Sequence, residues 1–235
     1  IFGCELFLAC PKSRMPSSNA IEWSKKQGAN IVITQDPTKA AKNASAILTD
    51  TWVSMGEKFS KDPESIFGKY RVNKEIMNYA LKKKYKALIT LDADLSHDPA
   101  KIPSFLSELK NQPFVIGSRY IKNGKNEMKL KRYILSVVGN KIIKFVLGIN
   151  CDEFTSAYRG FNLDMLKNFD INAVCSRGYS FFMETVYLLR KNKCSIKEIP
   201  IIFYDRKFGE SKIPRIEMLR TLTNLFKLRF SVFFK

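Results

Sequence analysis

The stretch Leu88-Ile89-Thr90-Leu91-Asp92-Ala93-Asp94-Leu95-Ser96-His97-Asp98-Pro99 decides the fold. Its apolar opening suits a buried central strand, and Asp92 and Asp94 then fall at alternate positions, where strand side chains share one face. Two carboxylates where a strand ends suggest a hard-cation site. Ligands of open α/β sheets gather outside the carboxyl ends of the strands, and Mg²⁺ or Mn²⁺ favours one or two carboxylates completed by water and substrate phosphate. The same residues also compose an ordinary solvated turn, because Asp followed by Ser, His and Pro is common turn chemistry.

Outward from this stretch, the 235 residues are enough for a real core, in one α/β domain or two small ones. The formal charge of +18 is uneven: residues 1–80 hold 11 Lys and Arg against 8 Asp and Glu, and residues 81–235 hold 29 against 14. The second part calls for an anionic partner, whether nucleic acid, an anionic lipid surface or a phosphorylated substrate, since net charge speaks to association and not to fold. The five cysteines form no CxxC pair and are odd in number, which argues against a zinc cluster or a disulfide framework and for a reducing compartment. No stretch reaches the roughly 18 uninterrupted apolar residues of a spanning helix, and the start lacks a signal-peptide pattern, so neither export nor membrane spanning is expected. Ile1 in place of Met fits a fragment or a processed chain.

Residues 5–49 alternate apolar runs with helical stretches: a strand over Glu5 to Ala9, a helix to about Gln27, a strand over Ile31 to Thr34, a short helix after Pro37 and a third strand over Ala46 to Thr49. Gly28-Ala29-Asn30 is a helix stop, and Asp36-Pro37 supplies an N-cap followed by Pro at the first helical position. The pattern predicts βαβαβ with parallel strands.

Ala9-Cys10-Pro11-Lys12, the Asp36-Pro37 turn and above all Asp50-Thr51-Trp52-Val53-Ser54-Met55-Gly56-Glu57 closely resemble the ornithine-binding half of ornithine carbamoyltransferase. The resemblance covers about residues 1–80 and implies a remnant ornithine-binding set of Asp50, Ser54 and Met55, a carboxylate with hydroxyl and backbone groups around an ammonium. The family's carbamoyl-phosphate motif and its Cys-Leu-Pro segment are not found, so carbamoyl transfer is not expected.

From about Leu81 the chain resembles the polyprenol-phosphate (dolichol-phosphate) mannosyltransferases of glycosyltransferase family 2. The matching residues are Asp92 to Pro99, Val115-Ile116-Gly117-Ser118-Arg119-Tyr120, Arg132 with Ser136, Thr155-Ser156 with Arg159, and Asp205-Arg206 with Gly209, Ser211 and Lys212. The expected architecture is therefore α/β: a Rossmann-like βαβ segment over 1–80 joined to an incomplete GT-A glycosyltransferase fold over 81–235, with a mostly parallel sheet.

This second resemblance implies metal-dependent, inverting transfer of mannose from GDP-mannose, or a related nucleotide sugar, to a polyprenol phosphate. A phosphate acceptor is already ionised near neutral pH, so orientation and stabilisation of the departing diphosphate carry the rate. Asp92 and Asp94 would hold Mg or Mn, with Asp94 the direct ligand; Ser96 stands where many relatives carry Gln. Catalysis would fall to Asp94, Arg119 and Arg132, the two guanidinium forks matching phosphate oxygens. Arg119 directly follows the strand Phe114 to Ile116, and so shares a rim with Asp94. Substrate contacts would extend to Ser136, Thr155, Arg159 and Glu184, and to Arg206 and Lys212 in a basic loop that follows a strand over Ile199 to Tyr204 and would close over a diphosphate. Ala157 and Tyr158 depart from the Gly and Phe common there, a costly change if the backbone needs positive φ. His97, the only histidine, reads as turn packing.

A final helix from about Arg215 sets Met218, Leu219, Leu222, Leu225 and Phe226 on one face. Such a face either packs on the domain or lies on an anionic bilayer; Phe230, Phe233 and Phe234 beside Arg229 and Lys235 favour peripheral membrane contact, on the cytoplasmic face. The family's first strands, which bind the nucleotide base, have no counterpart in residues 1–80, so donor binding is expected to be weak. Two other readings stay open: an inactive fusion, and a basic binder of membrane surfaces or nucleic acid, with nucleic acid the less favoured.

Overall fold

The computed structural model describes residues 5–50, 62–80, 85–92, 94, 96–176, 178–205 and 215–230, the last without the side chains of 215–218. The chain divides into two compact units, residues 1–84 and 85–235.

In the first unit, β1 (Glu5–Ala9) pairs in parallel with β2 (Asn30–Thr34), Glu5 opposite Asn30 and Ala9 opposite Thr34. Parallel neighbours need a crossover, supplied by α1 (Ser18–Lys26), which Ser17 caps by accepting the Ala20 N–H. Asp36 caps α2 (Pro37–Ala41), accepting both the N–H and the hydroxyl of Thr38; these donors hold its carboxyl below the usual range. The helices α3 (Pro63–Phe67) and α4 (Lys74–Ala80) follow. The third strand expected over Ala46 to Thr49 does not form: residues 44–50 run without regular structure. The run is short and half of it is small or polar, and its one large side chain past Ile47, Leu48, is 86% exposed, so there is no burial to fix a strand there.

The second unit is built on a four-stranded sheet ordered β3 (Ala87–Thr90), β6 (Arg159–Asn162), β4 (Phe114–Ser118), β7 (Ile196–Pro200), with α5 (Ile102–Glu108), α6 (Leu130–Leu147), α7 (Tyr179–Lys191) and α8 (Arg215–Phe230) between and after them. The short strands β5 (Lys125–Asn126) and β8 (Ile202–Phe203) pair separately. β6 is antiparallel to both β3 and β4, and β4 is parallel to β7. Three strands thus run one way and β6 runs against them. The single strand expected over Ile199 to Tyr204 is two: after Pro200, which has no N–H for a ladder, the Ile201 N–H donates to Ser118 O and the chain passes from β4 to β5.

Strand alternation gives the sheet two packed faces. Phe114 and Ile116 point into a cluster with Ile143 and Leu147 of α6, Met183, Val186 and Leu189 of α7, and Leu225 of α8. Val115 points the other way, to Phe105 of α5 and Leu109 at its C-cap, Tyr158, Ile199 and Ile201. Gly160 is required by this second face, since a Cβ there would stand 2.8 Å from Leu109 Cδ1. Gly148, at φ 65°, stops α6 in the left-handed conformation typical of a helix C-cap.

The topology also assembles one rim. Because β3, β4 and β7 share a direction and β6 opposes them, four segments meet there: residues 91, 92, 94 and 96–98 after β3, Arg119 after β4, Glu153 to Tyr158 before β6, and Ile201 to Asp205 after β7.

Candidate active site

Asp92 and Asp94 lie just past β3, as the strand pattern requires. The Asp94 carboxylate is oriented locally: Oδ1 accepts the Ser96 N–H at 3.0 Å and also the Ser96 hydroxyl, and Ser96 is fully buried. The Ser96 hydroxyl therefore serves the carboxylate. The Asp92 side chain is 42% exposed, and its N–H donates to His97 Nδ1 at 3.0 Å. Nδ1 is thus the acceptor and the ring proton sits on Nε2. Burial, with the Arg119 charge nearby, pushes the imidazole down to about 4, so the 3.8 Å approach of Nδ1 to Asp92 Oδ2 is no ion pair at neutral pH. His97 does pack inside the turn, between Tyr158 (centroids 5.1 Å apart) and Phe203 (5.4 Å).

Arg119 stands on the same rim, but its guanidinium faces inward. Nε donates to Glu153 Oε2 at 2.7 Å and Nη2 to Glu153 Oε1 at 2.8 Å and Thr155 Oγ1 at 3.0 Å. Its plane lies 5.0 Å from the Tyr120 ring centroid and 5.2 Å from that of Phe203. Burial alone would raise the Glu153 carboxyl, yet the guanidinium and the donors of Thr155 hold it below the usual carboxylate range. Arg119 is raised in turn by the same pairing. The bidentate fork that suits a phosphate is here engaged by a carboxylate of the same chain.

The loop before β6 is organised from within. Glu153 Oε1 accepts the N–H groups of Thr155 and Ser156 and the Thr155 hydroxyl. Thr155 Oγ1 in addition accepts from Arg119, so both sides of that hydroxyl are used internally. Arg159, expected to touch substrate, is instead buried: its donors reach the carbonyls of Ser156, Phe154 and Phe182 at 2.8–2.9 Å, and its Cζ lies 4.8 Å from the Phe182 ring centroid. Burial lowers its pKa to about 9, which leaves it a cation at neutral pH. Ala157 is not among the positive-φ residues, so its replacement of Gly costs no backbone strain. Tyr158 stacks on Phe105 at 4.3 Å and donates its hydroxyl to Asp98 O.

Elsewhere on the unit, Arg132 pairs with Asp205 at 3.3 Å, both about one-third exposed. Ser136 Oγ lies 2.6 Å from Tyr120 Oη. Glu184 Oε2 accepts the Ser176 N–H at 2.7 Å, a cap for the segment leading into α7. Asp50 is exposed in the first unit, while Ser54, Met55, Arg206 and Lys212 lie outside the described residues.

Two residues of this centre are absent from the sequence candidates: Glu153 and Asn140. Asn140, 4% exposed, donates to Ser136 O and accepts the Phe154 N–H, tying α6 to the loop. The sequence carries little signal for either: Asn140 sits between Gly139 and Lys141, and Glu153 follows Asp152, so both read as ordinary polar positions.

The donor chemistry fits a hard divalent cation in kind. Asp92 and Asp94 offer carboxylate oxygens, Asp94 held in one orientation by Ser96, which matches an ion that completes its shell with water and a diphosphate. No cluster of three or more metal-ligating His, Cys, Asp or Glu occurs among the described residues, which excludes an all-protein cage there.

Residues 1–89 match the family described as aspartate/ornithine carbamoyltransferase, Asp/Orn binding domain, and residues 67–169 match glycosyl transferase family 2. The chain is 33% identical over 136 residues to an undecaprenyl-phosphate mannosyltransferase of Micrococcus luteus, covering 57% of this chain and 56% of that protein. It is 30% identical over 162 residues to a polyprenol monophosphomannose synthase of Mycolicibacterium smegmatis, covering 65% and 61%. To an ornithine carbamoyltransferase of Brucella ovis it is 42% identical over 76 residues, covering 32% of this chain and 24% of that one. The chain thus spans little more than half the length of the mannosyltransferase relatives. Two origins meet in it: the chain joins a segment similar to the Asp/Orn-binding domain of the carbamoyltransferases to a segment similar to the family 2 glycosyl transferases.

Proposed function

We propose that residues 85–235 serve a hexosyl transfer, of mannose from GDP-mannose or a related nucleotide sugar to a polyprenol phosphate. The observation that carries this reading is the Asp92–Asp94 pair past β3, on a rim shared with Arg119 and the Glu153 to Tyr158 loop, in a segment similar to two polyprenol mannosyltransferases. Asp92 and Asp94 would hold Mg²⁺ or Mn²⁺, which when bound neutralises the charge developing on a departing diphosphate. Ser96 keeps the Asp94 carboxylate turned for that task. Arg132 offers an exchangeable cation on this side: its pairing with Asp205 is partly exposed, so an acceptor phosphate would compete for the guanidinium at small cost. Arg119 acts through the loop it fixes.

The apolar faces left on two helices support a lipid-linked acceptor. On α6, Leu130, Ile134, Val138 and Phe145 are exposed, Phe145 at 88%, with Lys131 and Lys141 beside them. On α8, Leu219, Leu222, Phe226 and Phe230 line an open groove with Lys227. An apolar face edged with lysine suits the interface of an anionic bilayer. None of the helices among the described residues is long and apolar enough to cross a membrane.

The test is release of GDP from GDP-mannose by the full chain with Mg²⁺ or Mn²⁺, against an Asp94→Ala control. Release above the control supports the reading; equal rates would leave the chain as an inactive fusion. To residues 1–84 we assign no reaction.

A further inference from the structure

The acidic stretch is tied to the middle of the sheet by contacts that neither carboxylate makes itself. The Asp92 N–H is held by His97 Nδ1, and the imidazole, 2% exposed, is clasped between the rings of Phe203 and Tyr158. A backbone bridge also joins His97 to Phe203. Both jaws of this clasp lead to one residue. Behind Phe203 stands the Arg119 guanidinium, and Glu153 fixes it through two bonds of 2.7 and 2.8 Å. Behind Tyr158 stands Ser156, whose Oγ accepts the Tyr158 N–H and whose own N–H donates to Glu153 Oε1.

We propose that Glu153 is a positioning residue for the Asp92–Asp94 stretch, setting the His97 clasp from both sides, through Arg119 and Phe203 and through Ser156 and Tyr158. A stabilising role alone explains the arrangement poorly. A buried ion pair is weak evidence for stability, because apolar side chains of similar volume often do as well. What the pair supplies is orientation: a planar guanidinium fork against a carboxylate admits few geometries. Glu153 is fully buried, accepts five hydrogen bonds and touches no solvent, so its influence on the rim passes through these partners. The inference deepens the proposed function, since it concerns how the candidate cation pair is held, and it rests on that reading only for its consequence.

The experiment is amide hydrogen exchange by NMR on the full chain, comparing wild type with Glu153→Gln and with the double variant Arg119→Met/Glu153→Gln. Glutamine retains an oxygen for the Thr155 and Ser156 donors, and the double variant removes both charges of the pair at once, while the buried Arg159 keeps its three carbonyl acceptors. The readout is the Asp92 amide against the Leu109 amide, which is bonded to Phe105 O at 2.9 Å at the C-cap of α5 and reports opening elsewhere in the unit. In both variants the Asp92 amide exchanges at least tenfold faster; in the double variant Leu109 keeps its wild-type rate. Asp92 protection equal to wild type in the double variant, or equal acceleration of both amides there, would overturn the proposal. Broadening of the signals of His97, the only histidine, by Mn²⁺ in wild type and its loss in Asp94→Ala test the cation reading separately. Fast Asp92 exchange without Mn²⁺ broadening supports the positioning role and removes the cation reading.

Discussion

Acid should unfold the second unit through His97. The imidazole is buried without charge, and its pKa falls from 6.5 to about 4, first because burial penalises the cation and then because Arg119 is close. An unfolded chain takes up the proton as pH drops through about 6.5, whereas the folded chain does so only near 4. The unfolded state therefore binds more protons in that window, and stability present above 6.5 is lost progressively towards 4. A difference of this size corresponds to about 3 kcal/mol, a large share of the roughly 5–15 kcal/mol that a domain possesses. His97→Gln isolates the effect, because its amide oxygen still accepts the Asp92 N–H and does not titrate. The assay is urea unfolding at several pH values, followed by far-UV dichroism; the two tryptophans, Trp23 and Trp52, both belong to residues 1–84 and track the first unit separately by fluorescence. Wild type should lose about 3 kcal/mol more than His97→Gln between pH 7 and 4. Parallel curves for the two proteins would refute the argument.

Other substitutions test the packing around the site. Gly160→Ala puts a methyl 2.8 Å from Leu109 Cδ1 and should destabilise by about 1–3 kcal/mol in thermal or urea melts. Tyr158→Phe removes the hydroxyl bond to Asp98 O while keeping the stack on Phe105, a loss of about 1 kcal/mol. Phe145→Glu, at a site 88% exposed, should leave the melt unchanged and weaken sedimentation with anionic vesicles; unchanged vesicle binding counts against a lipid-facing α6.

Much of the architecture was legible in the sequence where one local rule decided. Apolar runs gave β1 to β4, Asp36-Pro37 gave a capped helix start, and the carboxylates after Leu91 gave the rim. The failures have a common cause in tertiary context. Ala46 to Thr49 has a strand-like run but no burial to hold it, and Pro200 moves the chain from one ladder to another, which no run of apolar residues announces. In the site, the resemblance supplied the arginines and their chemistry suited phosphate, and neither says whether a guanidinium meets a ligand or its own chain. Arg119 finds Glu153 across 34 residues, and Arg159 finds three carbonyls in the interior. Glu153 is invisible until the strands are paired, and the carbonyls around Arg159 until the loop before β6 has folded.

Synthesis of lipid-linked mannose is the direct test of the transfer reaction. The full chain would be incubated with labelled GDP-mannose, Mn²⁺ and vesicles containing a polyprenol phosphate, and the organic-extractable label counted. Metal-dependent label is expected in the lipid phase, disappearing in Asp94→Ala and falling sharply in Arg132→Ala. Label no higher than in the Asp94→Ala control, from a chain that melts cooperatively, would contradict the proposed transfer.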